Sequence, residues 1–302
     1  MSPQGRWGLR ASVIIPAYKS EATAAATLAS LRAQTMQNFE TILVDSGPTD
    51  AVADIAKEFP EVRYLRSPDR LLPHGARNAG VALAQSDLLV FTDPDVVAPP
   101  EWLENLTKAH RANAGPVVGT VASLRRGWLE TGIHLAKFDL WLSGGKARAI
   151  SIAPTVNFAC SRAVWEEAGG FEGNEMIGDT LLSWELVRRG QTPRLAPEAV
   201  LYHDHRSTFG QLLRERFVRG ADFGRLRQER GNWSALRIIA VLCASVLPIR
   251  LMKLLGRTFA CSLRAGCLGD FMRTLPITAG AHAAWLAGEA SEYLRHLRSS
   301  CR

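Results

Sequence analysis

Asp93 and Asp95 flank a proline, and one residue, Thr92, separates them from the apolar run Leu88-Leu89-Val90-Phe91. Two carboxylates one residue apart on a turn can face the same hard cation, and Mg²⁺ or Mn²⁺ takes oxygen ligands that it shares with substrate phosphates. Alone, such a pair says little, because turns favour aspartate for backbone reasons. Its neighbours add weight. Gly75-Ala76-Arg77-Asn78-Ala79-Gly80 lies one helix upstream, and an arginine there suits fork-like contacts to phosphate. Pro16-Ala17-Tyr18 offers backbone groups and an aromatic face for a nucleobase, and Val44-Asp45-Ser46-Gly47 offers a carboxylate and a hydroxyl.

These residues need elements to bring them together. Through the first third of the chain, strand-like and helix-like periods alternate, the pattern of a parallel sheet flanked by helices. Strands are expected over 12–16, 41–44, 62–65 and 87–91, with helices from 20 or 21 to 34, 50–59 and 75–84 between them. The run before Asp93 is continuously apolar, as a central strand covered on both faces should be. Parallel topology then puts the polar strand ends on one edge, where open α/β sheets bind ligands. Farther on, strands are expected at 117–122, 152–158 and 199–203, and helices at 128–142, 179–189 and 208–229. Asp179 stands where an N-cap would.

Composition bounds the rest. The chain has 302 residues, is 47% hydrophobic and 22% charged, and carries a net charge of +7, enough apolar material for a large core. A basic excess suits nucleic acid, an anionic membrane or phosphorylated substrates; without zinc-finger spacing or a basic-aromatic stripe, nucleic acid ranks last. Five cysteines without a CxxC pair read as reduced thiols, and residues 1–10 lack the apolar core of a secretory leader. The first half is therefore expected in the cytoplasm. From Trp233 the character changes: 238–249 and 275–288 are apolar runs too short to span a bilayer, in the range read as buried or interfacial. Arg237, Arg250 and Lys253 flank the first run, which suits a segment lying on an anionic surface. Arg214, Arg216, Arg219, Arg225 and Arg227 share one predicted helix, either as a solvated basic face or as contacts to a phosphate or membrane. The expected division is a catalytic domain over 1–230 and a membrane-associating helical segment over 231–302.

In order and spacing, the stretches at 12–18, 34–35, 44–50, 75–80 and 93–95 resemble the family-2 glycosyltransferases of GT-A fold. The resemblance continues through Asn157-Phe158-Ala159-Cys160-Ser161-Arg162, Gly169-Gly170-Phe171, Asp179-Thr180-Leu181-Leu182-Ser183-Trp184 and Pro197 to His203, covering roughly residues 11–230. It implies a Rossmann-like mixed sheet flanked by helices, a nucleotide-diphospho-sugar donor, a divalent cation (Mn²⁺ or Mg²⁺) and inversion at the anomeric carbon. Carried over by position, Pro16, Tyr18, Glu21, Asp45 and Ser46 would contact the nucleoside. Arg77 would meet the pyrophosphate or the helix packing beneath it. Asp93 would hold ribose or a metal-bound water, Asp95 the metal, and His203 would complete the metal site. Asp179 matches the general base, which must reach the acceptor hydroxyl opposite the diphosphate. The acceptor would be a glycan or a lipid-linked acceptor, used at the cytoplasmic face of the cell membrane for surface polysaccharide or glycolipid.

The chain departs from the family pattern at three positions. Gly178 stands where Glu usually precedes the base, which removes a like charge able to raise the base's pKa. Lys19 replaces a customary Asn, and Pro48 a Ser, both near the nucleoside end. The Gln-x-x-Arg-Trp signature of polymerising members is absent, which argues for one sugar per encounter. A nucleotidyltransferase is disfavoured, because Ala17-Tyr18-Lys19-Ser20 is not a glycine-rich basic loop. A catalytically silent sugar-nucleotide binder or scaffold stays open because of Gly178.

Overall fold

The computed structural model describes residues 10–172 and 176–300. All but Arg10 of the N-terminal stretch considered for a leader, and Cys301, lie outside the described residues. Along the chain run β1 (Ala11–Ala17), α1 (Ala24–Arg32), β2 (Phe39–Asp45), α2 (Ala51–Lys57), β3 (Val62–Arg66), α3 (Pro73–Leu83), β4 (Leu88–Thr92) and β5 (Val96–Val97). Then come α4 (Trp102–Asn113), β6 (Val117–Ser123), α5 (Trp128–Phe138) with a 3-10 turn at Asp139–Trp141, β7 (Asn157–Ser161), α6 (Arg162–Glu167), α7 (Gly178–Arg188) and β8 (Arg194–His203). Four helices follow: α8 (Phe209–Gly231), α9 (Ala235–Val246), α10 (Ile249–Arg264) and α11 (Leu268–Ser300). The chain divides into two compact units, Met1–Leu124 with Gly145–Asp204, and Arg125–Gly144 with His205–Arg302. The boundary expected after residue 230 thus falls inside the second unit, near the end of α8.

The first unit is an eight-stranded mixed sheet in the order β3-β2-β1-β4-β7-β6-β8-β5. β1 pairs in parallel with β2 and β4, and β2 with β3, as alternating strands and helices require. β1 and β4 are buried along their whole length, which matches their largely apolar sequence. α3 lies tight against β1 and β2: a Cβ at Gly80 would sit 2.5 Å from Ile14 Cγ2 and 3.3 Å from Val44 Cγ2. The sheet turns antiparallel at β7, where Thr92 faces Asn157 and Leu88 faces Ser161.

Several expected boundaries move. α1 begins at Ala24 rather than 20 or 21, because Ser20 O accepts from Thr23 N and Ala24 N in a turn ahead of the helix. The strand expected at 152–158 runs instead from Asn157 to Ser161; Pro154 has no N–H to give a ladder, and register with β4 decides the start. β8 begins at Arg194, five residues earlier than expected. α4 and α6 were not foreseen. Asp179 lies in the first turn of α7, where Ile177 is the N-cap, so the expected capping position is corrected by two residues.

In the second unit, Thr208 and Gln211 close a capping box that starts α8. α8 and α11 approach closely at glycines: a Cβ on Gly220 would come 2.1 Å from Trp285 O, and one on Gly288 2.0 Å from Phe217 O. The first apolar run is broken by Pro248, so α9 and α10 meet at a 66° bend; the second lies inside α11, which carries Pro276 without ending. No single described helix is long and apolar enough to cross a membrane, although the bent pair Ala235–Ser245 and Ile249–Arg264 passes that test together.

Candidate active site

Three strand ends make the centre of the site. β4 delivers Thr92 and then Asp93 and Asp95, after which the chain pairs at once with the end of β8 as β5. Val96 lies opposite His203 in that pairing, and Asp204 N donates to Asp95 O at 2.8 Å. Register alone therefore brings His203 beside the carboxylate pair. Ligand atoms of Asp93, Asp95 and His203 all fall within 4.8 Å of one another, with His203 Nε2 3.5 Å from Asp95 Oδ1. The carboxylates are part-exposed while His203 is buried, so the cluster faces outward from a rigid floor. Two carboxylates and an imidazole are a fitting donor set for Mn²⁺ or Mg²⁺ that must leave room for phosphate oxygens.

Asp93 is not left to the solvent. The Arg77 guanidinium, buried on α3, forms a short ion pair with Asp93 Oδ1. The contact expected between Arg77 and a pyrophosphate is thus taken, in this structure, by the aspartate it orients. One turn earlier on the same helix, His74 is also buried, and its Nε2 accepts from Asp179 N at 3.3 Å. Residues three apart share a helix face. α3 therefore holds one of the paired aspartates through Arg77 and the start of α7 through His74.

His74 also accounts for Gly178. A Cβ at position 178 would come 2.7 Å from His74 Cδ2 and 3.0 Å from Glu172 O. The imidazole, packed 5.1 Å from the Phe171 ring, occupies the space that a glutamate side chain would take. Asp179 itself is part-exposed, its Oδ1 accepting from Thr180 N at 2.8 Å and its carbonyl from Ser183 Oγ at 2.6 Å. A carboxylate in the first turn of a helix is favoured by the helix dipole, which holds its charge ready without burying it. Sequence inspection missed His74, and the signal that could have found it was the pairing of an unusual glycine with a histidine at a helix start.

The nucleoside end forms at the tips of β1 and β2. Ala17 and Asp45 are register partners, and Ser46 N donates to Ala17 O at 3.0 Å. Asp45 is fully buried and accepts from Gly47 N at 2.7 Å, Tyr64 Oη at 2.8 Å and Arg66 Nη1 at 2.7 Å. A carboxylate has about four acceptor sites, so these partners leave Asp45 one further acceptor. Pro16 is buried in β1, Ser46 Oγ donates to Leu71 O at 3.3 Å, and the Tyr18 ring carries the Arg70 guanidinium 4.5 Å from its centroid. Tyr64, Arg66 and Arg70 were not foreseen; they come from β3 and the loop after it, which have no motif. Glu21 is exposed in the turn ahead of α1. Lys19 adopts φ 53°, a left-handed conformation that the customary Asn would enter more easily.

The described cysteines, Cys160, Cys243, Cys261 and Cys267, are free thiols, and burial raises the Cys160 thiol far above its ordinary range. The arginines of α8 are not a bare basic face. Arg219 pairs with Glu215, Arg225 with Asp222 and Glu229, and the Arg216 and Arg227 guanidinium groups lie 4.5 Å over the Trp285 and Trp233 rings. Desolvation lowers Arg216 to about 10. Most of these side chains hold the helical unit together, and Arg214 is exposed.

Comparison with known proteins agrees with the geometry. A pre-mycofactocin glycosyltransferase of Mycobacterium tuberculosis is 27% identical over 235 residues, 74% of this chain and 47% of that protein. An undecaprenyl-phosphate 4-deoxy-4-formamido-L-arabinose transferase of Aeromonas hydrophila is 26% identical over 267 residues, 82% of this chain and 72% of that one. The chain spans about half the length of the mycobacterial relative, or less in the case of the validoxylamine A glucosyltransferases of Streptomyces hygroscopicus. Among solved structures, the mannosyltransferase PcManGT from Pyrobaculum calidifontis, in complex with GDP-Man and Mn²⁺, superposes with a TM-score of 0.55 at 20% identity over 96% of this chain and 75% of its own. That likeness matches the mixed sheet flanked by helices to a GT-A fold. The model of glycosyl transferase family 2 matches residues 12–165, half of the chain, and the chain belongs to that family.

Proposed function

We propose that the protein is an inverting glycosyltransferase that moves one sugar from a nucleotide-diphospho-sugar to the hydroxyl of a glycan or lipid-linked acceptor at the cytoplasmic face of the cell membrane, in surface polysaccharide or glycolipid synthesis. The observation that carries it is the convergence of Asp93, Asp95 and His203 beside a helix that also anchors Asp179. Asp95 and His203, with Asp93, would hold a Mn²⁺ or Mg²⁺ ion. Bound there, the cation would neutralise charge that builds on the leaving diphosphate. Pro16, Tyr18, Asp45 and Ser46 would form the nucleoside end, with Glu21 near its rim. Asp179 accepts the proton of the acceptor hydroxyl as its oxygen attacks the anomeric carbon opposite the diphosphate. His74 sets the backbone from which that carboxylate projects.

The lipid-linked acceptor draws support from the undecaprenyl-phosphate transferase relative, and the donor class from the GDP-Man complex of the mannosyltransferase. If the acceptor were instead a polyprenyl phosphate, its oxygen would already be anionic and would need no base. Titration with UDP-, GDP- and dTDP-sugars, with and without Mn²⁺, tests the proposal: tight binding of one of them only with the metal is expected, and no metal-dependent binding of any would overturn it. A silent sugar-nucleotide binder would bind and never turn over. The His74 ring in the space beside Gly178 speaks against that alternative, because the missing glutamate is replaced by a group that still fixes Asp179.

A further inference from the structure

α10 is turned inside out. Arg250, Arg257, Thr258 and Ser262 point into the helical unit beside Leu255 and Cys261. Arg250 Nη2 meets the buried Glu289 at 2.7 Å, Arg257 grips the buried Asp139 at 2.9 and 3.1 Å, and Thr258 Oγ1 donates to Asp139 at 2.7 Å. The opposite face carries Ile249, Met252, Gly256, Phe259 and Leu263, at i, i+3, i+7, i+10 and i+14, a single stripe on a helix. Met252 is 64% exposed, Leu263 57% and Phe259 42%, and α9 adds Leu236 at 80%. A helix in water puts its apolar stripe inward, and a single exposed leucine needs no explanation whereas a continuous apolar face does.

Charge decides what covers it. From residue 230 to 269 the chain has six basic residues and no acidic one. Arg250 and Arg257 turn inward to carboxylates, while Arg237, Lys253 and Arg264 are exposed along the apolar face or its margins. A second copy would set these like charges against each other, whereas anionic headgroups complement them and acyl chains take the stripe between. We propose that the outward face of α9 and α10 lies in the interfacial layer of an anionic lipid bilayer, without crossing it. The inference rests on the membrane-face reading above and names the surface that performs it.

Co-sedimentation of the full chain with phosphatidylglycerol/phosphatidylethanolamine vesicles, and with phosphatidylcholine vesicles, tests it. Wild type should partition to the anionic vesicles, and Met252→Glu with Phe259→Glu should lower that partition about tenfold or more, since two charges enter the interface in place of apolar groups. Lys253→Glu with Arg264→Glu should lose most of the preference for anionic over neutral lipid, and Lys108→Glu, at an exposed position of α4, should change nothing. Metal-dependent nucleotide-sugar binding measured on the same variants should stay at the wild-type value and shows that they are folded. Wild type that binds neither vesicle overturns both this surface and the membrane-face reading, and leaves donor binding to stand or fall by itself. Wild type that binds while the Met252/Phe259 variant binds equally well overturns this surface alone. A lipid-free dimer abolished by that variant, with vesicle binding unchanged, overturns it in favour of a second copy.

Discussion

β4 and α10 are both apolar segments that carry charged groups nearby, and they solve opposite problems. β4 is buried on both faces, and its carboxylates, Asp93 and Asp95, are displayed at its end. In α10 Arg250 and Arg257 turn to the buried Glu289 and Asp139, while Lys253, Arg264 and the apolar stripe are outside. Around Glu289, Trp285 Nε1 donates at 2.7 Å and Tyr293 Oη at 3.1 Å, so the buried charge is surrounded by donors. Nearby, desolvation lowers the His282 imidazole to about 3, which keeps it neutral beside Thr258. Polar groups of the sheet unit stand part-exposed at strand ends around Asp93 and Asp95, whereas those around Asp139 and Glu289 in the helical unit find their partners within it. A cluster of charge is thus a candidate site only where its partners leave capacity unused.

That contrast makes the two sets respond differently to substitution. The largest effect is expected from Asp179→Asn, which should lower kcat about a thousandfold for a hydroxyl acceptor while donor affinity, measured by calorimetry, stays unchanged. Little loss of turnover would point to an acceptor oxygen that is already anionic. Glu289→Ala should do the reverse, lowering unfolding free energy by about 3 kcal/mol in chemical denaturation, because Arg250 is left buried without its carboxylate, with metal-dependent donor binding retained at low denaturant. If Glu289→Ala abolished turnover in a fully folded protein, the contrast between display and self-satisfaction would be broken. Asp95→Ala should weaken metal-dependent donor binding about a hundredfold, read as the Mn²⁺ dependence of the titration.

Two smaller effects sharpen the comparison. Gly178→Ala should destabilise by about 2 kcal/mol through collision with His74 and should recover in combination with His74→Ala, which thermal unfolding of the three variants would show. Burial by itself would raise Glu215, but the charges of Lys137 and Arg219, with a hydrogen bond from Lys137, bring it down to about 2. A folded pKa below the unfolded one contributes stability above about pH 4.5, lost as pH falls toward about 2. Thermal unfolding at intervals over that window should show a loss of about 1 kcal/mol that Lys137→Met largely removes.

Much of the sheet unit could be read in advance because its signals are local. β-branched and apolar runs separated by helical periods place β1 to β4, and the residues just past strand ends must share an edge once the strands are parallel. The antiparallel part resisted: β7 starts five residues later than expected because pairing with β4 and β6 sets its ends, and α4 and α6 were not foreseen. At the site, the ion pair of Arg77 with Asp93 likewise depends on how α3 packs and not on any local pattern.

The amino-acid sequence by itself determined that Asp93 and Asp95 follow an apolar strand, that Asp179 lies at the opening of a late helix, and that 230–269 sets six basic residues among apolar ones and has no acidic one. Only the tertiary structure decided which groups meet them. His203 reaches Asp95 through the two-residue register of β5 on β8, and His74 reaches Asp179 across 105 residues of chain. Which face of α10 is inside is likewise settled by Asp139 and Glu289, 118 and 39 residues away from their arginines. Periodicity reports that a helix has two faces, but the free energy of burying a charge depends on the partner it finds there, and that partner is set by the fold.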